Sequence, residues 1–222
     1  MFASMLCAAI ASAAPADAPV AARQTAPSPP DSTAITHGQP ATSSLPAIDL
    51  DSLPDACKTL GQLAGSPSPT VALSSRVSLA NCLAEERMRP LSLVDCEMSV
   101  RDLNEAATPS LELLDDVIAA AEPSWRIVAL HAKGELLSSM SVRMLMTVPR
   151  PPAGAGDEAI ALRDMRVTML QSLLQPWLDL AQDAFKQVDR LARAQPELAK
   201  NQVVRSAVLD SQNKLVPGVA TR

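Results

Sequence analysis

Apolar residues recur at intervals of three and four along most of the chain after residue 51, with charged residues between them. One such face consists of Ala181, Ala184, Phe185, Val188, Leu191 and Ala192. Two further seams consist of Leu113, Leu114, Val117, Ile118 and Ala121, and of Leu162, Met165, Met169 and Leu173. This spacing is typical of amphipathic α-helices, and no run of alternating polar and β-branched residues indicates a strand. The pattern therefore predicts an all-α fold.

Prolines divide the periodic region into segments of helical length. Because proline fits the first turn of a helix but not its interior, we expect each one at or just before a helix start. Thr108-Pro109 and Gln175-Pro176 resemble a cap residue followed by the first helical position. We predict seven or eight helices, over residues 53–63, 70–88, 91–106, 110–121, 124–147, 157–174, 177–194 and 197–215. Their short connections predict antiparallel hairpins, stacked as a repeat or as an irregular bundle.

An uncharged apolar run occupies residues 1–13 and ends in the small residues Ala11, Ser12 and Ala13. Signal-peptide cores have roughly 7 to 15 apolar residues, whereas a membrane-spanning helix needs roughly 20. We therefore expect a signal peptide at 1–13, although no Lys or Arg precedes the core; an apolar helix that stays on the chain is the alternative. The absence of Tyr and the bias towards Ala, Arg and Pro are typical of a GC-rich bacterial genome. The expected location is the periplasm or the cell surface.

The next segment, residues 14–50, is rich in Pro, Ala, Ser and Thr and has few large apolar side chains. Such a composition cannot bury enough surface to offset the entropy of ordering, so we predict a disordered tether. The helical domain is expected at 51–216, followed by a disordered tail at 217–222. No second long apolar run follows the first, and we expect no transmembrane span in the mature chain.

Removal of the signal leaves Cys57, Cys82 and Cys96, an odd number in a compartment where thiols tend to pair. Cys82 and Cys96 are nearly equidistant from the turn at Arg89 and Pro90, so an antiparallel hairpin would place them at the same height. We therefore prefer a disulfide between Cys82 and Cys96. A bond between Cys57 and Cys82 is the competing pair, and three buried thiols are the remaining alternative.

Paired amphipathic helices with small residues at their crossings resemble the tetratricopeptide repeat. The residues that carry the resemblance are Ala181, Phe185 and Val188, with Pro196 after them, and they are similar to the second helix of that repeat. The chain is also similar to exported bacterial proteins that carry degenerate repeats of this kind behind a signal and a proline-rich leader. The resemblance implies a protein-binding scaffold without catalytic residues.

Residues suited to catalysis are few. Of the two histidines, His37 falls in the predicted tether and His131 in a predicted helix, where a packed or surface role is typical. No Gly-rich phosphate loop, His-Glu-x-x-His helix or Gly-x-Ser-x-Gly turn occurs in the sequence, so we predict no enzyme activity and no cofactor. The net charge of -5, with only two Phe and two Trp, disfavours nucleic acid as a partner.

Methionines form the one cluster that suggests a metal. Met140 and Met144 lie on one predicted helix and Met165 and Met169 on the next, and thioether ligands outside the cytoplasm bind Cu(I). Methionine also fills irregular cores, and packing is the expected role here. A bundle that binds copper or a small ligand is thus the alternative function.

The leading prediction is a non-catalytic, exported scaffold or adaptor that binds another protein in the bacterial cell envelope. Trp125, Arg143 and Trp177 are the candidate contact residues, because Trp and Arg dominate interface hot spots. Acidic residues are concentrated at 95–122 and basic residues in the C-terminal part of the chain. Such asymmetry suits electrostatic steering of a partner or head-to-tail contact between copies, so self-association is a further expectation.

Overall fold

The computed structural model describes residues 48–215, and every regular element in this range is helical. The predicted all-α fold is confirmed. The predicted signal peptide (1–13), the predicted tail (217–222) and all but the last three residues of the predicted tether (14–50) lie outside the described residues. Within the described range, no helix is both long and apolar enough to cross a bilayer.

Six α-helices follow one another along the described chain: α1 (Lys58–Ala64), α2 (Pro69–Met88), α3 (Glu97–Ala120), α4 (Pro123–Leu145), α5 (Asp157–Ala194) and α6 (Gln202–Leu215). Short 3-10 helices at Leu50–Ser52 and Asp55–Cys57 precede α1, and another at Pro196–Lys200 connects α5 to α6. Helix α4 contacts α2, α3, α5 and α6. The architecture is a bundle of unequal helices around α4.

The main core lies between α2, α3, α4 and α5 and contains Leu103 and Leu114, both fully buried. A second cluster joins α4, α5 and α6 around Val188 and Val204. A third joins α1 and the turns before it to α2. Ile48 packs against this third cluster. The folded region therefore begins before residue 51, which was its predicted start.

Two prolines expected at helix starts lie inside helices, Pro109 in α3 and Pro176 in α5, so the predicted breaks at these positions are wrong. Each proline lacks the N–H that would bond the carbonyl four residues earlier, at Glu105 and Ser172. Both of these residues are exposed, and water can solvate the carbonyls. Buried residues keep their spacing across the proline of α5, at Leu170, Leu174, Trp177 and Ala181. Packing on both sides outweighs the lost hydrogen bond.

The disulfide joins Cys57 to Cys82, and the prediction of Cys82 with Cys96 is wrong. That prediction required a helix from residue 91, but residues 91–96 are not helical and α3 begins after Cys96. The hairpin that would align Cys82 with Cys96 therefore does not form. Packing of α1 and its preceding turn on α2 instead brings the Cα atoms of Cys57 and Cys82 to 5.9 Å. Cys96 is buried at the start of α3, outside this disulfide.

Helices α4 and α5 come close together at Gly134. A methyl group added there would lie 2.5 Å from Cε1 of Phe185, which is itself buried. The aromatic ring of α5 thus occupies the space that a side chain on α4 would need. This contact fixes which side of α5 faces the bundle, and it leaves another side of the helix towards solvent.

Candidate functional site

Helix α5 carries a second row of apolar side chains that is not packed against the bundle. We call this row the outer stripe, and its members are Leu162, Met165, Met169, Leu173 and Leu180. Each is between 38% and 63% exposed. Their spacing places them on one helix face, over a length of about 27 Å. A row of exposed apolar side chains on a folded domain is a candidate interaction site.

The inner seam of the same helix consists of Leu170, Leu174, Trp177, Ala181, Phe185 and Val188, all of them buried. It packs against the main core, and at its C-terminal end against α6. At about 100° per residue, the centres of the inner seam and the outer stripe lie more than a quarter of a turn apart. A helix held by its inner seam therefore presents the outer stripe to solvent.

Charged side chains surround the outer stripe. Asp157 and Glu158 lie in the first turn of α5, which is where a helix dipole favours negative charge. Towards the other end, Lys186 Nζ lies 3.4 Å from Asp183 Oδ1 in an exposed ion pair that leaves the ammonium accessible. The stripe thus has two acidic residues at its N-terminal end and an Asp–Lys ion pair near its C-terminal end.

The three candidate contact residues do not form one surface. Trp177 belongs to the inner seam and is only 8% exposed. Trp125 lies in the first turn of α4, half-buried against the main core, whereas Arg143 lies in the last turn of that helix. Separated by 18 positions along the helix, Trp125 and Arg143 are about 27 Å apart. The structure therefore places Trp177 in the core and the other two at opposite ends of α4.

The four methionines of the copper hypothesis lie in two environments. Met140 and Met144 are fully buried in the main core, whereas Met165 and Met169 belong to the exposed outer stripe. The structure does not gather all four thioethers into one buried pocket. Among residues 48–215, His, Cys, Asp and Glu side chains form no group of three that could hold a metal ion.

His131 connects α4 to α6 beside the inner seam. Its Nδ1 lies 3.0 Å from Oγ of Ser211, and its ring centre lies 6.2 Å from that of Phe185. Burial lowers the pKa of His131, with Glu135 and Asp210 acting in the opposite direction and Lys214 in the same one. Ser211 is fully buried, so its hydroxyl cannot meet a substrate in this conformation. The pair serves to hold α6 on α4.

Comparison with models of protein families, with curated proteins and with solved structures returns no match for this chain.

Four of the five outer-stripe residues form one of the seams that the spacing of apolar residues predicts. The sequence alone does not show that these residues are exposed. A usable signal is the presence of two apolar rows in one helix. Leu170, Leu174 and Trp177 define one row, and Met169 and Leu173 define the other. When such a helix lies at the edge of a bundle, the other helices of the chain cover one row and leave the other row accessible.

Proposed function

We propose that this chain is a non-catalytic, exported helical scaffold or adaptor of the bacterial cell envelope, and that the outer stripe of α5 is the surface with which it binds protein. The observation that carries the proposal is the exposure of Leu162, Met165, Met169, Leu173 and Leu180 along one helix face.

The size of the stripe indicates what strength of binding to expect. Covering the exposed part of each side chain contributes roughly 1 kcal/mol, and roughly 5 kcal/mol for the five together. Micromolar affinity corresponds to about 8 kcal/mol, and association also has an entropic cost. The stripe alone therefore supports weak binding, and a specific complex must use the charged residues at its edges as well.

Two further observations support the proposal. The Cys57–Cys82 disulfide is compatible with an oxidising compartment, in line with the uncharged apolar run at the start of the sequence. The hydroxyl nearest to His131 is buried and bonded between helices, which suits a structural role for this histidine.

Site-specific photo-crosslinking in intact cells tests the proposal. A photoreactive residue replaces Met169 in one strain and Gln171 in another. Both positions are exposed on α5, but Gln171 lies on the opposite side of the helix from the outer stripe. We expect a protein adduct from position 169 and little from position 171. Equal yields from the two positions, or no adduct from either, would contradict the proposed function.

A further inference from the structure

A cleft lined by three arginines opens at the N-terminal end of the outer stripe. Its volume is about 210 Å³, and it lies between the connection at residues 149–152 and the first turns of α5. The helix contributes four lining residues, which share one face through their spacing of three and four: Ala159, Leu162, Arg163 and Arg166. Leu162 is also the first residue of the outer stripe. The cleft and the stripe therefore form a continuous surface.

The connection between α4 and α5 supplies the third arginine, Arg150. It lies between Pro149 and Pro151, and proline restricts the backbone both of itself and of the residue before it. The N–H of Ala155 donates to the carbonyl of Pro152 at 3.0 Å and closes the turn that leads into α5. Arg150 is thus carried by a restricted backbone, which reduces the entropy lost when it binds a ligand.

The charge of the cleft is positive. Within residues 48–215, its lining includes three guanidinium groups and no carboxylate. Two carboxylates lie next to it: Asp164 Oδ1 is 3.4 Å from Nη1 of Arg163, and Asp95 Oδ2 is 3.4 Å from Nη1 of Arg166. Both distances exceed the usual range of about 2.7–3.2 Å for an N–H···O bond, and each contact uses one nitrogen of its guanidinium group. The other N–H groups of these arginines remain for a ligand.

Arg163 is not fully satisfied within the described chain. Its Nε is buried and has no hydrogen-bond acceptor among residues 48–215, whereas buried N–H groups nearly always have one. The side chain as a whole is 41% exposed. It can therefore turn towards a bound anion without breaking a strong hydrogen bond.

The two parts of this surface define the chemistry of what it binds. The outer stripe matches a row of apolar side chains. The guanidinium group matches a carboxylate, which accepts two parallel N–H bonds from its planar fork. A protein segment with Asp or Glu beside its apolar row has both parts.

An anionic lipid surface fits this region less well. Glu158 lies one turn before Leu162, close to the line of the outer stripe. At the other end of the stripe, the Asp183–Lys186 pair has no net charge. Headgroups along the stripe would meet Glu158 as well as the arginines, and the repulsion would offset part of the attraction. A protein segment can place one carboxylate at the cleft and none beside Glu158.

We propose that the partner of the outer stripe is an acidic protein segment, and that Arg150, Arg163 and Arg166 bind an Asp or Glu carboxylate of that segment in the cleft beside Leu162. This inference rests on the proposed function, because it names the chemistry of the protein that the stripe binds.

Removal of two arginine charges tests the cleft. Arg150→Gln and Arg163→Gln are combined in the chain that carries a photoreactive residue at position 169, and the adduct is measured in intact cells. We expect the yield to fall about tenfold, because charge-assisted contacts to the carboxylate are lost. Lys58→Gln with Arg205→Gln removes the same charge from α1 and α6, outside the cleft, and should leave the yield unchanged. Equal yields from the two double variants would overturn the proposal.

A reciprocal charge reversal tests the carboxylate itself and does not depend on the glutamine variants being folded. Mass spectrometry of the adduct from position 169 identifies the captured segment, and its Asp and Glu residues are replaced by Lys one at a time. We expect one replacement to lower the yield with the original chain, and Arg163→Glu to restore about half of it. Failure to find such an acid, or failure of Arg163→Glu to rescue it, would contradict the proposal.

Flotation of the purified chain with phosphatidylglycerol vesicles tests the lipid alternative. We expect the chain to remain unbound. Binding that disappears in the variant with Arg150→Gln and Arg163→Gln would show that the cleft takes a lipid phosphate, and the proposal would be wrong.

The adduct from position 169 also separates failure of this inference from failure of the proposed function. If the adduct forms but does not depend on the arginines, the outer stripe is the binding surface and the cleft is not part of it. If the original chain gives no adduct, both proposals are wrong.

Discussion

The inner seam and the outer stripe of α5 are built from similar residues with the same spacing, but the fold of one chain covers only the inner seam. Leu174 is fully buried and Leu173, its neighbour in sequence, is 38% exposed. The difference arises outside the helix, because α4 and α6 lie against one side of α5 and Gly134 admits the ring of Phe185 there. Periodicity thus predicts that α5 is a helix, whereas the neighbouring helices decide which apolar row belongs to the core.

The largest effect is expected from truncating the two adjacent leucines separately. Leu174→Ala leaves a cavity in the main core and should lower the free energy of unfolding by about 2–5 kcal/mol. Leu173→Ala removes side-chain atoms that are partly in water and should lower it by less than about 1 kcal/mol. Urea unfolding measures both. Similar losses for the two variants would show that the outer stripe is part of the core.

A smaller effect is expected where α4 meets the inner seam. Gly134→Ala places a methyl group against the buried ring of Phe185, and overpacking of this kind costs about 1–3 kcal/mol. The gain in helix propensity returns about 1 kcal/mol, so we expect a net loss of about 1 kcal/mol. Gly65→Ala, with only Gln62 O at 3.5 Å from the added carbon, is the matched control. An increase in stability for Gly134→Ala, measured by thermal unfolding, would mean that α5 does not approach α4 this closely.

The pH dependence of stability should come in part from His131 of α4, beside the inner seam of α5. Burial lowers the pKa of His131, and Glu135, Asp210 and Lys214 are the charged groups that influence it. The unfolded chain therefore binds a proton more readily than the folded one, and the contribution of His131 to stability is complete above the unfolded pKa of about 6.5. It is lost as pH falls from there towards the folded pKa.

Unfolding measured in urea at pH 7.5 and pH 5.5 checks this linkage. The free energy of unfolding should fall between these two values in the original chain and change less in His131→Gln. An unchanged slope in the variant would assign the pH dependence to other groups.

The smallest effect on stability is expected in the outer stripe itself. Met165→Ser and Met169→Ser replace side chains that are 63% and 57% exposed, so the free energy of unfolding of the monomer should change by less than about 0.5 kcal/mol. Crosslinking from a photoreactive residue at position 173 should nevertheless be lost in the double variant. A large loss of stability would contradict the separation between folding and binding surfaces.

Helices with clear end signals could be predicted from sequence. The expected helix at 70–88 is α2 (Pro69–Met88), and the one at 124–147 is α4 (Pro123–Leu145). Local rules failed where tertiary packing opposed them. Pro109 and Pro176 are tolerated inside helices because buried residues continue on both sides of them.

Two further features depended on placement that no local pattern contains. The Cys57–Cys82 disulfide requires α1 to lie on α2. Exposure of the outer stripe requires α4 and α6 to lie on the other side of α5. Trp177, a candidate contact residue from its type alone, is buried for the same reason.

Photo-crosslinking in intact cells from a residue at position 169 tests the central claim, that the outer stripe is a contact surface which one chain leaves uncovered, most directly. The original chain should give a protein adduct. The adduct should be lost in a variant with Met165→Glu and Leu173→Glu. A control with Val203→Glu and Leu209→Glu, two exposed apolar residues on α6, should crosslink like the original chain. No adduct from the original chain, or a stripe variant that crosslinks as well as the control, would contradict the account.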